Sequence, residues 1–184
     1  MTTLNILGIS GSLRAKSYNQ YALLAAAQAM PEGMQLQVAD YSDIPLFNQD
    51  VLAAGVPASV EKLRARIAAA DAVLIASPEY NFSVSGVLKN AIDWLSRTSP
   101  QPFKDKPVAI LSATMGPLGG ARSQYDLRKS GSGLDAIVLP KPEVFIGMAQ
   151  NRFDASGNLT DEATRTMLAA QMAAFQAWIA RVAS

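Results

Sequence analysis

Short apolar runs alternate with segments of helical periodicity along the chain, and this alternation limits the folds open to it. Five apolar runs predict strands, and five periodic segments that follow them predict helices. Such alternation is typical of a parallel sheet with helices on both faces, because each connection between parallel strands has to cross over the sheet. The predicted strands cover residues 4–9, 34–38, 72–76, 108–111 and 136–139.

The second predicted strand differs from the others in having one polar face. Gln35 and Gln37 alternate there with three apolar residues, whereas the third strand is continuously apolar. A strand with one wet side suits the edge of a sheet, and the strand order 2-1-3-4-5 of flavodoxin-like folds would place it there. We therefore expect a single domain over residues 1–184. Its predicted architecture is a flavodoxin-like three-layer α/β sandwich, with a five-stranded parallel sheet between two layers of helices.

The predicted helices are separated by small polar residues, glycine and proline. Pro57 suits the start of the second helix, because its missing N–H is not needed in a first turn. Residues 143–148 are predicted to be extended but have no place in the predicted sheet. The other predicted helices lie at about residues 18–30, 87–95, 121–129 and 168–182.

The sequence contains neither histidine nor cysteine, which removes several classes of chemistry. Disulfides, imidazole or thiolate catalysis and the usual zinc sites are excluded, and a Ser-His-Asp triad cannot be built. With a net charge of +1, the chain has no charge pattern suited to nucleic acid or an anionic membrane. No basic leader opens the sequence, and no segment approaches the roughly 20 apolar residues of a spanning helix, so a cytoplasmic protein is expected.

The loop after the first predicted strand, GISGSLRAKSYN at residues 8–19, is rich in small polar residues. Three interpretations compete: a serine nucleophile, a phosphate-binding loop and an ordinary capped turn. The first lacks a base, and the nucleophile-elbow pattern lacks its final glycine. In the second, Gly11 lets the backbone approach an anion, Arg14 adds a planar charged group, and the next helix directs free N–H groups to it. In the third, Ser17 caps that helix. Local physics alone does not separate the last two.

Two more loops follow the third and fourth predicted strands: SPEYNFSVSG at residues 77–86 and SATMGPLGGARSQ at residues 112–124. Ligands of such sheets bind beyond the carboxyl ends of the strands, so all three loops are expected at one crevice. In the second loop, backbone amides and Tyr80 suit a flat heteroaromatic ring, and the alternative is a tight turn. Small residues in the third loop permit close approach of the backbone to a ligand. Trp94 and Trp178 are expected in the core or at a subunit interface. Arg122 and Tyr125 are expected at the surface or at a subunit interface, and the interface is favoured for Tyr125.

Three segments, in this order along the chain, resemble the signatures of one enzyme family. GSLRAKSYN, PEYNFSVSGVLKNAIDWLSR and GGARSQYDLR are similar to those of the NADPH-dependent FMN reductases, in the branch with bacterial chromate, quinone and azo-dye reductases. The likeness covers nearly the whole chain and includes DIPLFNQD and NRFDASGNLTDEAT. The short GSLR alone would be a weak signal, but the ordered combination is highly specific.

The resemblance implies an FMN site built from all three loops, with no catalytic side chain and no metal. The first loop would hold the FMN phosphate, the second would line the isoalloxazine ring largely through backbone groups, and the third would lie along the other edge of the ring. The phosphate-binding residues implied in this way are Gly11, Ser12, Leu13, Arg14, Ser17, Tyr18 and Asn19. The ring-binding residues are Pro78, Glu79, Tyr80, Asn81, Ser112, Ala113, Thr114 and Gly116.

The resemblance also implies a mechanism and partners. NADPH or NADH would reduce FMN and leave, and a quinone, azo compound, chromate-like oxyanion or free flavin would then take the electrons in a ping-pong cycle. Family members form homodimers or dimer pairs with the flavin near the interface, where Arg122, Tyr125 and Glu143 are the expected polar residues. Many relatives have a proline at the position of Ser85, which as a serine can cap the next helix.

Two other functions compete with this one. A flavodoxin-type electron carrier would bind FMN without turning over a small substrate, but such carriers are usually strongly acidic and this chain is near neutral. A scaffold or regulatory module would keep the fold and lose the flavin. The intact polar residues of the first loop and residues 78–81 argue against that loss. The sequence therefore favours an FMN-dependent NAD(P)H reductase.

Overall fold

A parallel sheet lies at the centre of the protein in the computed structural model, which describes residues 3–183. The strands are β1 (Leu4–Ser10), β2 (Met34–Val38), β3 (Ala72–Ala76), β4 (Glu79–Tyr80), β5 (Ser83–Val84), β6 (Pro107–Ala113), β7 (Ile137–Val138) and β8 (Val144–Ile146). The sheet has the order β2-β1-β3-β6-β7, and β8 pairs with the far end of β6. The predicted order is confirmed, with the fifth position shared by two short strands. β4 and β5 form a separate hairpin.

The inner strands are paired on both sides, which explains their continuous apolar sequences. β3 pairs in parallel with β1 and with β6, and every residue of β3 and β6 is buried. β2 pairs with β1 at the edge of the sheet, and Gln35 and Gln37 are exposed there. The predicted edge position of the half-polar strand is therefore confirmed.

Polar residues, glycine and, before α3, proline mark where the helices begin. The helices are α1 (Tyr18–Gln28), α2 (Gln49–Ala54), α3 (Ala58–Ala69), α4 (Gly86–Leu95), α5 (Ala121–Ser132) and α6 (Glu162–Val182), with a 3-10 turn at Ala149–Asn151. Asp161 caps α6 by accepting the N–H of Thr164 at 2.8 Å. Gly120 precedes α5 with a φ of 87°, which glycine adopts without strain. Within residues 3–183, none of the helices is both long and apolar enough to cross a membrane.

The helices form one layer on each face of the sheet. Successive strand residues point to opposite faces, so neighbouring residues enter different cores. Ile6 and Leu111 belong to the core under α1 and α6. Leu7 and Ile110 belong to the core under α3, α4 and α5. This arrangement confirms the predicted three-layer α/β sandwich.

Some elements differ from the prediction. Helix α2 has no buried residue, so it leaves no apolar periodicity in the sequence. The first helix ends at Gln28, and Pro57 lies immediately before α3 instead of in its first turn. The extended segment without a predicted place contains β8.

Both tryptophans serve packing within the chain. Trp94 is fully buried, and its indole N–H donates to the carbonyl of Pro45 at 2.8 Å. Its ring also meets that of Phe47 edge to face, with centroids 5.0 Å apart. The indole N–H of Trp178 donates to the carbonyl of Ile137 at 2.9 Å. These contacts attach the segment before α2 to α4, and α6 to β7.

Candidate functional site

Three loops meet at the carboxyl edge of the sheet and border a cleft of about 470 Å³. They are loop 1 (residues 11–17), loop 2 (residues 77–85) and loop 3 (residues 114–120), and they follow β1, β3 and β6. These strands are neighbours, so the sheet brings together loops that are far apart in the sequence. The volume lies in the range of roughly 300–1,000 Å³ typical of small-molecule pockets.

Local hydrogen bonds between serine hydroxyls and the backbone shape loop 1. The hydroxyl of Ser10 donates to the carbonyl of Ser12 at 3.1 Å, and Ser12 Oγ accepts the N–H of Arg14 at 3.4 Å. Ser17 Oγ accepts the N–H of Asn19 at 3.2 Å. Ser12 and Ser17 thus use their oxygens as acceptors, and their O–H groups are available to donate to a ligand. Together with Arg14 and the N-terminus of α1, these donors suit an anion.

Tyr41 supports the start of loop 1 from the core. Its hydroxyl donates to the carbonyl of Ser10 at 2.6 Å, and the residue is buried. Burial raises the pKa of the Tyr41 phenol above its ordinary value, because the phenolate would be poorly solvated there. The phenol therefore stays protonated at neutral pH and keeps its bond to Ser10.

Loop 2 turns back on itself as the β4–β5 hairpin, and the backbone at its tip is unusual. Asn81 and Phe82 have positive φ angles of 51° and 65°. Positive φ at both central residues is what a type I′ turn requires, and it is strained for a phenylalanine. The ring of Phe82 is 70% exposed at this tip. The hairpin therefore needs contacts elsewhere to hold this shape.

Two sets of contacts attach the hairpin to α5. The hydroxyl of Ser83 donates to Asp126 at 2.7 Å. Hydrogen bonds from Lys129 and Ser83 lower the pKa of Asp126 below its ordinary value, so this carboxylate is charged at neutral pH. Glu79 accepts the backbone N–H of Arg122 at 3.0 Å and its Nη1 at 2.9 Å.

Arg122 of α5 contacts the hairpin through two of its residues. Its guanidinium lies 4.4 Å from the centroid of the Phe82 ring while it pairs with Glu79. It therefore joins the two ends of the hairpin to α5 within one chain. Glu143, the other charged residue expected at an interface, is also paired within the chain, with Lys141 and, at 3.8 Å, with Arg128.

The segment around β8 fixes loop 3. The N–H of Thr114 donates to the carbonyl of Ile146 at 3.0 Å, and the N–H of Ala149 donates to the carbonyl of Thr114 at 2.9 Å. A Cβ on Gly119 would lie 2.7 Å from the carbonyl carbon of Phe145, so the loop packs against this segment at a distance only glycine permits. The extended segment that had no predicted place in the sheet thus supports loop 3, which borders the cleft.

Asn19 connects loop 1 to the start of loop 3. Its Nδ2 donates to the carbonyl of Ala113 at 2.9 Å, and its Oδ1 accepts the N–H of Ala113 at 3.0 Å. Both polar groups of the side chain are therefore used inside the protein. Asn19 lines the cleft, and the second N–H of its Nδ2 remains to donate to a bound anion.

Most of the predicted site residues line the cleft, and four lie outside its wall. Gly11 begins loop 1 behind the cleft wall, where its N–H donates to the carbonyl of Ala76 at 2.7 Å, and Leu13 lines a neighbouring cleft at the end of β2. Asn81 is at the hairpin tip, and Ser112 is fully buried. The residues that line the cleft are Ser12, Arg14, Ser17, Tyr18, Asn19, Pro78, Glu79, Tyr80, Ala113, Thr114 and Gly116, together with Met115 from the predicted third segment.

Sequence reasoning missed residues that hold the loops without lining the cleft. Ser85 was expected only to cap α4, but its hydroxyl also donates to the carbonyl of Gly11 at 2.5 Å. Buried Gln124 donates to Ser112 Oγ at 2.8 Å and to the carbonyl of Val144 at 2.7 Å. The partners of Ser85 and Gln124 lie 74 and 12 to 20 positions away, so no local pattern signals these contacts.

The part of the chain from residue 3 to residue 183 has no cluster of three or more acidic, histidine or cysteine side chains that could hold a metal ion. The polar groups at the cleft are instead hydroxyls, one guanidinium, the amide of Asn19 and backbone groups, with Glu79 turned toward α5. This donor set suits an organic ligand that carries a phosphate.

Comparison with known proteins places these features in one family. The sequence model of the NADPH-dependent FMN reductases matches residues 4–151. The chain is 53% identical over 179 residues to an NAD(P)H-dependent FMN reductase of Pseudomonas aeruginosa, with 97% of each chain covered. It is 44% identical over 182 residues to a quinone reductase of Escherichia coli K12, again with 97% of each covered. A solved structure of a flavoenzyme NAD(P)H:(acceptor) oxidoreductase from Paracoccus denitrificans superposes with a TM-score of 0.88 at 33% identity, covering 97% of this chain and 98% of that one.

Proposed function

The chain belongs to the NADPH-dependent FMN reductase family, and on this basis we propose that it binds FMN between loops 1, 2 and 3 and reduces quinones with electrons from NAD(P)H. One observation carries the proposal: a loop rich in hydrogen-bond donors and two loops suited to a flat ring border the same cleft. The distribution of polar groups gives the cleft a phosphate end and a ring end.

The residues of loop 1 fit the phosphate end of FMN. Arg14 offers a charged group with several donors, and Ser12 and Ser17 each have an O–H that the protein does not use. The first turn of α1 adds backbone N–H groups and the positive end of the helix dipole. The side chain of Asn19 joins loop 1 to Ala113 through one N–H and its oxygen, and its second N–H is left to donate to the phosphate.

Loops 2 and 3 fit the ring end. A Cβ on Gly116 would meet nothing within 4 Å, so the backbone of loop 3 is open to close approach by a ring. Pro78 stiffens the exit from β3, and the 49% exposed Tyr80 offers an aromatic face at the opposite wall. The ring would therefore lie between loop 2 and loop 3.

FMN, when bound, supplies the redox chemistry: its ring accepts a hydride from NAD(P)H and passes two electrons to a quinone, which with two protons becomes a hydroquinone. The chain itself needs no nucleophile for this reaction, and it has no histidine or cysteine to offer one. Its residues hold and orient the reactants. Loop 1 anchors the phosphate, and loops 2 and 3 fix the plane of the ring.

The rim of the cleft suits flat molecules that visit it in turn. Tyr80 on loop 2 and Met115 on loop 3 line the cleft, and both side chains are largely exposed. Apolar groups at the mouth of a cleft favour the nicotinamide of the donor and the ring of a quinone alike. A single open face requires the donor to leave before the acceptor binds, which gives ping-pong kinetics. Azo compounds, chromate-like oxyanions and free flavin are further acceptors in this proposal.

We also propose that the protein forms a homo-oligomer in which a second copy covers part of this rim. Phe82, Leu118 and Tyr125 carry large exposed apolar side chains on loop 2, loop 3 and α5. Large exposed apolar side chains on the elements that border a cleft favour burial in a protein interface. Sedimentation velocity should show a dimer or a tetramer, and a monomer at micromolar concentration would contradict this part of the proposal.

Absorption spectroscopy tests the cofactor and the reaction together. We expect the purified protein, after incubation with FMN and removal of free flavin, to show flavin bands. Anaerobic NADPH or NADH should bleach them, and a quinone should restore them. Flavin bands that do not bleach would indicate an electron carrier instead of a reductase. Failure to retain FMN would overturn the proposed function.

A further inference from the structure

The hydroxyl of Ser85 connects the two loops that form opposite ends of the cleft. Ser85 ends loop 2, immediately before α4, and is fully buried. Its Oγ donates to the carbonyl of Gly11, the first residue of loop 1, at 2.5 Å, and accepts the N–H of Leu88 at 3.4 Å. Capping of α4 accounts for the longer bond only. The shorter bond reaches a residue 74 positions away in the sequence.

The backbone around Gly11 is held by bonds on both sides of this carbonyl. Its N–H is bonded to Ala76 on β3 at 2.7 Å. A Cβ on Gly11 would lie 2.8 Å from Pro78 Cδ and 3.2 Å from Leu88 Cδ2, so loop 1 is packed directly against loop 2 here. The N–H of Ser12 has only a longer bond, to Ser10 Oγ at 3.4 Å. Because the Gly11–Ser12 peptide is planar, the shorter bond at the carbonyl also fixes the position from which the Ser12 side chain leaves.

We propose that Ser85 is a positioning residue for the phosphate of FMN: its hydroxyl holds the Gly11–Ser12 peptide so that Ser12 faces the anion. This inference rests on the proposed function. Without the hydroxyl, the Gly11 carbonyl loses its buried hydrogen-bond partner. Turning toward water at the cleft then lowers its free energy, because water replaces the lost bond. A carbonyl oxygen turned toward the cleft repels a phosphate. Ser85 acts through Gly11 and is not placed against the ligand.

The effect should be specific for the phosphate, because other contacts hold the ring end. The hairpin of loop 2 is attached to α5 by the pair of Glu79 and Arg122 and by the bond from Ser83 to Asp126. Loop 3 is bonded to the segment around β8. None of these contacts involves Ser85. Riboflavin, which has the ring and lacks the phosphate, therefore separates a positioning role from a general loss of structure.

The test compares FMN and riboflavin binding to the apoprotein by quenching of flavin fluorescence. We expect Ser85→Ala and the nearly isosteric Ser85→Cys to raise the Kd of FMN about tenfold and to change the Kd of riboflavin by less than about twofold. Ser85→Thr keeps the donor and should bind FMN as the wild type does. If circular dichroism shows that the alanine variant does not fold, comparison of the cysteine and threonine variants tests the positioning role instead.

A matched control lies at the other end of the same helix. The hydroxyl of exposed Ser96 donates to the carbonyl of Asp93 at 2.7 Å, so Ser96→Ala removes the same kind of bond far from loop 1 and should change neither Kd. Equal weakening of FMN and riboflavin in the Ser85 variants, or no change in either, would overturn the role of Ser85 while FMN binding by the wild type leaves the proposed function standing. A wild-type protein that binds no FMN would overturn both.

Discussion

Asn19 and Ala113 exchange two hydrogen bonds at the floor of the cleft, in the manner of paired strands. The amide of Asn19 donates at 2.9 Å and accepts at 3.0 Å, and both atoms of Ala113 are backbone. Asn19 is in the first turn of α1, and Ala113 ends β6. One side chain therefore sets how far the phosphate end of the cleft lies from its ring end.

Substitution Asn19→Ala should lower the free energy of unfolding by about 2–4 kcal/mol, because it leaves a buried N–H and a buried carbonyl without partners. Asn19 is only 3% exposed, so water replaces these bonds poorly. Urea denaturation followed by circular dichroism measures the change. Gln28→Ala at the exposed end of the same helix is the control and should change stability little. A loss for Asn19→Ala as small as that of the control would contradict the role given to the two bonds.

Arg14 should contribute to FMN binding through the phosphate alone. The loss of hydrogen bonds from a charged group predicts that Arg14→Ala raises the Kd of FMN by about 10- to 100-fold. The Kd of riboflavin should stay within about twofold of the wild-type value, because riboflavin has no phosphate to lose. Titration of the apoprotein measures both. Arg97→Ala removes an exposed arginine after α4 as a control, and unchanged FMN affinity in Arg14→Ala would refute the assignment of loop 1.

Arg122 should rigidify the hairpin more than it stabilises the whole protein. Its ion pair with Glu79 is partly exposed, and such pairs contribute at most about 1 kcal/mol. Arg122→Ala removes that pair and the contact with the Phe82 ring, so hydrogen exchange in residues 79–84 should become faster while the midpoint of urea unfolding changes little. Lys104→Ala, at another exposed position, should leave exchange in the hairpin unchanged. Equal exchange in the Arg122 variant and the wild type would show that the hairpin does not depend on Arg122.

The cap of α6 should make stability depend on acid pH. Hydrogen bonds from Thr164 lower the pKa of Asp161 below its ordinary value, with a smaller contribution from Arg152. A carboxyl with a lowered pKa stabilises the folded state fully above its unfolded pKa of about 4, and this contribution is lost as the pH falls through the folded pKa. The Tm of Asp161→Ala should therefore be lower than that of the wild type at pH 7, and the difference should narrow below about pH 4.

The substitution Asp161→Asn distinguishes the contribution of the Asp161 charge from that of its capping hydrogen bond. Asp161→Asn keeps a cap that does not titrate, so its Tm should exceed that of Asp161→Ala by a similar amount at pH 7 and at pH 3. Thermal scans across this range measure all three proteins. A constant gap between wild type and Asp161→Ala at every pH would show that the carboxylate charge does not contribute.

The strand order could be predicted because burial leaves a direct trace in the sequence. The continuous apolar run of β3 and the alternating Gln35 and Gln37 of β2 mark a central and an edge strand. β8 has only three residues, Val144–Ile146, which are too few to show a periodicity in the sequence. The site was likewise predictable only where its residues leave a local pattern. Small polar residues marked loop 1, but the direction of Asn19 depends on Ala113, which is 94 positions away.

The divided fifth position of the sheet has a consequence for how copies of this protein can meet. β7 offers two edge residues and β8 offers three, and Pro140, Lys141 and Pro142 lie between them. A foreign strand can extend a sheet only along a continuous row of unpaired N–H and carbonyl groups, and proline has no N–H. This side of the sheet is thus closed to strand-to-strand polymerisation. Association through side chains can stop at a finite number of subunits, whereas an open edge would favour fibres.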